Sequence, residues 1–249
     1  MPSSAEQLQI LRTLSVLHPM NVTCGKVRTG GSNDGGYVMA NDFKGNAIGY
    51  SIGVGPQVLW DHEMASRGMN IHQYDHTVEA APSSHPSFHF NKIGIAPNLD
   101  DPQLVTLDRM LEDNGHADEQ HMLLKIDVEG AEWDVLDGMS SNLLSKFDQI
   151  VVEYHALEYL DRDSFRHRAE RVFRNIDHTH ACIHVHGNNY GSFGIVRNIP
   201  IPNVLEVSYV LRDRFSLIES TDIFPTHLDD PCKSDEPDLF LGNFKYRCI

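Results

Sequence analysis

The chain has 249 residues, 41% of them hydrophobic, with 20 Lys and Arg against 35 Asp and Glu and a formal charge of −15. That apolar content supports one large α/β core and excludes a disordered chain, while so acidic a surface repels phosphate backbones and excludes nucleic acid as a partner. No apolar run approaches the ~20 residues of a membrane span and the N-terminus does not read as a secretion leader, so a soluble, cytoplasmic protein is expected.

Ser3-Ser4-Ala5-Glu6 reads as a capped helix start, and Leu8, Ile10, Leu11, Leu14 and Leu17 continue it as an amphipathic helix to about His18. Gly30-Gly31-Ser32-Asn33-Asp34-Gly35-Gly36-Tyr37 follows, too glycine-rich for a helix or strand interior. It is either a tight hairpin turn or a segment folding over a ligand with Asp34 and Tyr37 as polar contacts. Arg28, just before it, is placed to meet an anionic group. Cys24, Cys182, Cys232 and Cys248 are scattered without a C-x-x-C pair, so reduced thiols are expected and a zinc-site pattern is absent.

Ile48 to Ile52 reads as a strand ending in Gly53-Val54-Gly55-Pro56, with a helix from about Leu59 to Gly68 beyond it and Pro56 suited to that helix's first turn. Strand, G-x-G and helix is the layout of a nucleotide-binding turn. Asn70 to Tyr74 is the next strand and delivers Asp75, twenty positions after Gly55, about where a carboxylate takes ribose hydroxyls. A dinucleotide fingerprint requires glycine at position 58, which is Val58, so an adenosyl cofactor is favoured over NAD.

Phe88 to Ile95 forms a third strand and its exit turn, and Leu104 to Leu111 a helix. Met122 to Val128 is a buried strand that turns polar at Asp127 and Glu129, and Ala131 to Leu136 resumes with helical spacing. Gln149 to His155 is a buried strand with Glu153 and His155 on one face near its carboxyl end. A helix from Phe165 to Ile176, a strand carrying Cys182, His184 and His186 into Gly187-Asn188-Asn189, and a final strand from Val204 to Val210 complete the core. Of the two histidines, His184 reads as a packing residue. Ligands of open α/β sheets lie outside the carboxyl ends of the strands. The alternative for Asp127 and Glu129 is that they only favour the N-terminus of the next helix. The chain is organised as one domain: an N-terminal helix (1–22), a glycine-rich cover loop (23–46), a core (47–215), and a tail (216–249) expected to pack loosely or contact a partner.

The run Lys125-Ile126-Asp127-Val128-Glu129-Gly130-Ala131-Glu132 resembles the central signature of FkbM-type S-adenosylmethionine-dependent methyltransferases. Ser51-Ile52-Gly53-Val54-Gly55, Asp75, Val151-Val152-Glu153-Tyr154-His155 and His186-Gly187-Asn188-Asn189 add to the likeness, which runs from about Arg28 to Val210. It implies a class I, Rossmann-like α/β fold with a mostly parallel seven-stranded sheet. It also implies S-adenosylmethionine held by Gly53, Val54, Gly55, Glu63, Asp75, His76, Ile93, Gly94 and Asp127. Many relatives read Asp-x-Gly-Ala-Asn at the glycine turn; Ser51 and Pro56 depart from this, and Glu63 or Asp61 is the compensating candidate.

The acceptor expected from the resemblance is a hydroxyl of a sugar or glycan, with a natural product second and a protein third; a homo-oligomer stays open. A hydroxyl is a poor nucleophile at neutral pH and needs a base or a metal. His155, His186 and Glu153 are the catalytic candidates. Strand adjacency in that fold would bring Asp127, Glu153 and His186 together as ligands for Mg or Mn. The competing classes are a catalytically inactive methyltransferase-like binding module and an NAD-dependent oxidoreductase.

Overall fold

A computed structural model describes residues 5–246, so the serine cap expected at Ser3-Ser4 and Cys248 lie outside the described residues. The central sheet has seven strands: β1 (Ile48–Ile52), β2 (Asn70–Tyr74), β3 (Phe88–Asn91), β4 (Met122–Ile126), β5 (Phe147–Tyr154), β6 (His180–Gly187) and β7 (Leu205–Leu211). Their spatial order is β3-β2-β1-β4-β5-β7-β6. Only β7 runs against the others: β5 and β6 both pair with it antiparallel, and every other pairing is parallel.

The central strands read as continuous apolar runs because both faces are covered. All five residues of β4 and all eight of β5 are buried. Helices α1 (Ala5–Ser15), α2 (Leu59–Ser66), α3 (Leu107–Asp113), α4 (Glu132–Gly138), α5 (Ser141–Leu144) and α6 (Asp163–Thr179) flank the sheet. α6 shows why its sequence makes a surface helix. Phe165, Ala169, Val172, Phe173 and Ile176 recur at three- and four-residue spacing and are buried, whereas its arginines are mostly exposed and pair with acids. Trp133 of α4 joins this layer, its ring against Tyr154, Phe165 and Phe173 and its indole N–H donating 2.8 Å to the His155 carbonyl.

The chain between the first helix and the sheet resolves one open alternative. Lys26–Thr29 and Tyr37–Ala40 pair antiparallel, so the glycine-rich segment is a hairpin loop. Asp34 and Gly35 of this loop also line a cavity. Arg28 is engaged within the protein: Nε donates to Gly31 O (2.8 Å) and Nη2 to Asn33 O (2.7 Å), holding the loop in shape, and Nε lies 3.6 Å from the Asp230 carboxylate. Three further expectations are corrected. Leu104–Val105 is a short strand and the helix there begins at Leu107. Pro56 precedes α2, which starts at Leu59, so the proline shapes the turn. The tail does not pack loosely. Phe224, Cys232 and Phe244 are buried, Asp229 and Asp238 bond to His184 and His186, and Asn189 Nδ2 donates to Lys233 O. Two acids of the tail, Asp229 and Asp238, are partners for histidines of β6.

Two histidines outside the site make the fold sensitive to acid. His72 is stacked between Tyr50 and His89, and His180 lies buried against the Phe147 carbonyl at 2.8 Å. Burial first, with neighbouring His116 and His89 for His72 and Arg212 for His180, pushes both down to about 4. The folded chain therefore binds these protons more weakly than the unfolded one, whose histidines titrate near 6.5. Their contribution is complete above that pH and is lost as pH falls toward 4. Thermal midpoints are expected to drop across this window, and His72→Phe to flatten the drop; an unchanged slope in the variant removes His72 from the account.

Candidate functional site

The carboxyl ends of β1, β2 and β4 open onto a cavity of about 270 Å³, near the ~300 Å³ lower bound of small-molecule sites. Its wall includes Gly53, Val54 and Gly55 after β1, Asp75 and His76 after β2, Gly94 and Ile95, and Asp127 after β4. Asp34 and Gly35 of the hairpin loop close one side.

The glycine turn is set by its neighbours. Gly53 has φ of +78°, and a Cβ there would stand 1.5 Å from the Asp127 carbonyl oxygen, so two strand ends meet at a spacing only glycine permits. Lys125, buried in β4, donates 2.7 Å to Gly53 O, and Asp127 N donates 2.9 Å to Ile52 O. Asp75 shapes the other side. Its Oδ2 accepts from Val54 N (3.0 Å) and Gly55 N (3.1 Å), and its Oδ1 from Thr77 N (2.7 Å) and Oγ1 (2.6 Å). Burial opposes its ionisation, but the Thr77, Gly55 and Val54 donors outweigh that and hold it below the ordinary carboxylate range. A carboxylate offers about four acceptor sites. All are used here, so a ribose hydroxyl would replace the Thr77 hydroxyl, the most exchangeable of the four.

Three features fit this cavity to an adenosylmethionine. A Cβ on Gly55 would meet nothing within 4 Å, so its backbone face is open to a ligand. Asp127 Oδ1 is buried without a hydrogen-bond partner. The residues beside β2 supply both an acceptor, Asp75, and a ring, His76.

The expected cofactor residues divide accordingly. Gly53, Val54, Gly55, Asp75, His76, Gly94 and Asp127 line the cavity. Glu63 does not: on α2 it accepts from Gly30 N (2.8 Å) and pairs with Arg67 four residues on (2.7 Å). Asp61 is likewise engaged, accepting 2.8 Å from Gln73. Ile93 is replaced in the wall by Ile95, because the chain breaks after β3 and re-forms as the short strand Gly94–Ile95.

The acceptor-side residues also divide. His155 is near the centre of an acidic group: its Nε2 lies 3.4 Å from Glu129 Oε2 and 3.5 Å from Glu153 Oε1, and its Nδ1 lies 3.3 Å from Glu132 Oε1. Burial disfavours its charged form, but the hydrogen bond and charge of Glu132, then Asp127 and Glu129, raise its pKa above the ordinary value. Glu153 accepts from Asn188 Nδ2 at 3.0 Å, and burial followed by Asp127, Glu206 and Asp34 raises its carboxyl well above normal.

His186 is not brought to this point. It is buried, with Nδ1 2.7 Å from Glu206 Oε2 and Nε2 3.0 Å from Asp238 Oδ1. Glu206 of β7 lies between: it is the register partner of Glu153 on one side and of His186 on the other. Two strand spacings, roughly 9–10 Å, thus separate the strands of Glu153 and His186. The expected metal set Asp127, Glu153 and His186 does not converge. Carboxylates and histidines instead fall into Asp127–Glu129–His155, Asp34–Glu153–Glu206 and His186–Glu206–Cys232. Glu206 escaped the sequence reading, although an acid between Leu205 and Val207 in an apolar strand was a visible signal.

A family model described as the methyltransferase FkbM domain matches residues 41–180, more than half of the chain, including β1 to β5 and the glycine turn. A solved structure from Anabaena variabilis ATCC 29413, described provisionally as a methyltransferase from an antibiotic biosynthesis pathway, is 14% identical. The match covers 52% of this chain and 49% of that one with a TM-score of 0.25, too low to carry an inference. No curated protein matches. No helix among the described residues is long and apolar enough to cross a membrane.

Proposed function

Because the chain belongs to the FkbM methyltransferase domain family, we propose that it is an S-adenosylmethionine-dependent O-methyltransferase whose acceptor is a hydroxyl of a sugar or glycan. The family implies the cofactor. The observation that carries the reading is the single cavity walled at once by Gly53 to Gly55, Asp75 and Asp127 and bounded by Asp34 and Glu129. Bound there, S-adenosylmethionine supplies an electrophilic methyl group.

The chain's own work is to hold that cofactor and to ready the acceptor. Gly53, Val54 and Gly55 let it approach the backbone, Asp75 and Asp127 offer acceptors, and His76 and Ile95 wall the cavity. At the acid end, Asp34 and Glu129 of the cavity wall present carboxylate acceptors suited to a polyhydroxyl compound. His155 is the general base of this reading. Surrounding carboxylates increase its affinity for a proton, and Glu132 at Nδ1 orients the ring with Nε2 toward Glu129 and Glu153. Positioning of the hydroxyl in line with the transferred group supplies the remainder.

The test is ligand-induced stabilisation. S-adenosylhomocysteine at 100 times its dissociation constant adds about 2.7 kcal/mol, which in a chain of this size raises the midpoint by roughly 5–10 °C. Asp75→Asn is expected to reduce that shift. His155→Ala is expected to keep it while losing roughly 10²–10⁴-fold in turnover on a hydroxyl acceptor. A midpoint unmoved by S-adenosylhomocysteine but raised by NAD would replace the reading with an oxidoreductase.

A further inference from the structure

We propose that Asp34, Glu153 and Glu206 form a divalent-cation site beside the cavity, at the end where Asp34 lines its wall, taking a hard ion such as Mg²⁺ or Mn²⁺. The three carboxylates come from three elements: the hairpin loop, the end of β5 and the start of β7. One oxygen from each lies within 4.8 Å of the others. Oxygen ligands stand roughly 2.0–2.6 Å from such ions, so two of them on opposite sides are about 4–5 Å apart. Three oxygens at the observed spacing can all reach one ion without moving an element.

The cations at hand leave the cluster acidic: His186 lies 2.7 Å from Glu206 and His155 3.5 Å from Glu153, while Asp34 forms no ion pair among the described residues. Glu153 and Glu206 are directly opposed across an antiparallel pair, an arrangement that destabilises when both are charged. Asn188 Nδ2 bridges Glu153 (3.0 Å) and Asp34 (3.4 Å) but carries no charge. Lys125 directs its ammonium to Gly53 O, and His186, which bonds Glu206, is shared with Asp238.

A second observation points to a ligand independently of the acids. The hydroxyl of Tyr37 is buried without a hydrogen-bond partner on a side chain only 2% exposed. The charges acting on it are Asp127, Glu153, Glu206 and Asp34. A buried hydroxyl without a partner is costly. Hydrated ions of this class keep several waters, and one of them supplies the missing partner. The other two groupings fit an ion less well: Glu129 of the first is 87% exposed, and in the last His186 already donates to two carboxylates.

That the ion readies an acceptor hydroxyl, by lowering its pKa, rests on the methyltransferase reading; that it binds does not. The experiment titrates the metal-stripped full chain with Mn²⁺, following heat and the paramagnetic signal of the free ion. One ion per chain is expected. Asp34→Asn and Glu153→Gln, which keep an oxygen for Asn188, should each weaken binding roughly tenfold or more, and Glu63→Gln should not. Melting in chelator checks that each variant folds. No uptake of Mn²⁺, or uptake unaltered in both variants, overturns the site. S-adenosylhomocysteine titrated in chelator separates the two ideas. Its binding without Mn²⁺ uptake ends the ion site alone; Mn²⁺ uptake without it ends the methyltransferase reading and leaves the ion site standing.

Discussion

Gly53→Ala is expected to unfold well below the wild-type midpoint and to lose S-adenosylhomocysteine binding. Two costs add. The residue has φ of +78°, a region that costs a non-glycine about 1–3 kcal/mol. The new Cβ would also stand 1.5 Å from Asp127 O and 2.6 Å from Asp127 C, both backbone atoms. No rotamer relieves that contact, so the ends of β1 and β4 must part, at an overpacking cost of a further 1–3 kcal/mol or so. The sum is roughly 2–6 kcal/mol, or a fall of about 4–24 °C in midpoint. The informative comparison is Gly55→Ala. Its φ of +58° also disfavours a side chain, but the Cβ meets nothing within 4 Å. Stability should then fall by only about 1 kcal/mol, while ligand binding falls sharply because the methyl occupies the open backbone face. A Gly55→Ala chain that binds S-adenosylhomocysteine as the wild type does would remove this turn from the cofactor site.

That contrast bears on what a sequence exposes. The glycine turn and the strands about it were legible because their signals are local. Ile48–Ile52 is apolar and short, Gly53 and Gly55 punctuate it, and Asn70–Tyr74 ends at an acid. The side-chain partners were not legible, because they are set by pairings between distant segments. His186 meets Asp238 fifty-two residues later, and Asp34 meets Asn188 across 154. Glu206 belongs to the site edge only because β7 runs antiparallel, which puts its first residues beside the last of β5. Nothing within Leu205–Leu211 indicates that direction. Glu63 failed for a different reason. It was the compensating candidate for a turn that departs from the family, while its side chain is taken up by Gly30 N and Arg67.

His186→Ala is the second large effect, and it is expected to act on folding rather than on proton transfer. A general base needs a neutral ring with a free lone pair. Here burial disfavours the imidazolium, but Glu206, Asp238 and Cys232 outweigh burial and hold the ring protonated far above the ordinary histidine range. Both nitrogens then donate, to Glu206 at 2.7 Å and to Asp238 at 3.0 Å, and none is left to accept. Alanine would leave Glu206 buried without its cation and Asp238, partly exposed, without its donor. Removing one partner of such a buried set costs about 3–5 kcal/mol. In a chain of this size that lowers the midpoint by roughly 6–20 °C. The tail should loosen with it, since Asp238 loses one of the contacts that hold it to β6, and limited proteolysis should cut near residue 238 faster than in the wild type. At a temperature where the variant remains folded, turnover should fall far less than in His155→Ala. A His186→Ala chain that melts with the wild type and yet has no turnover would reverse the assignment and return the proton-transfer role to this histidine.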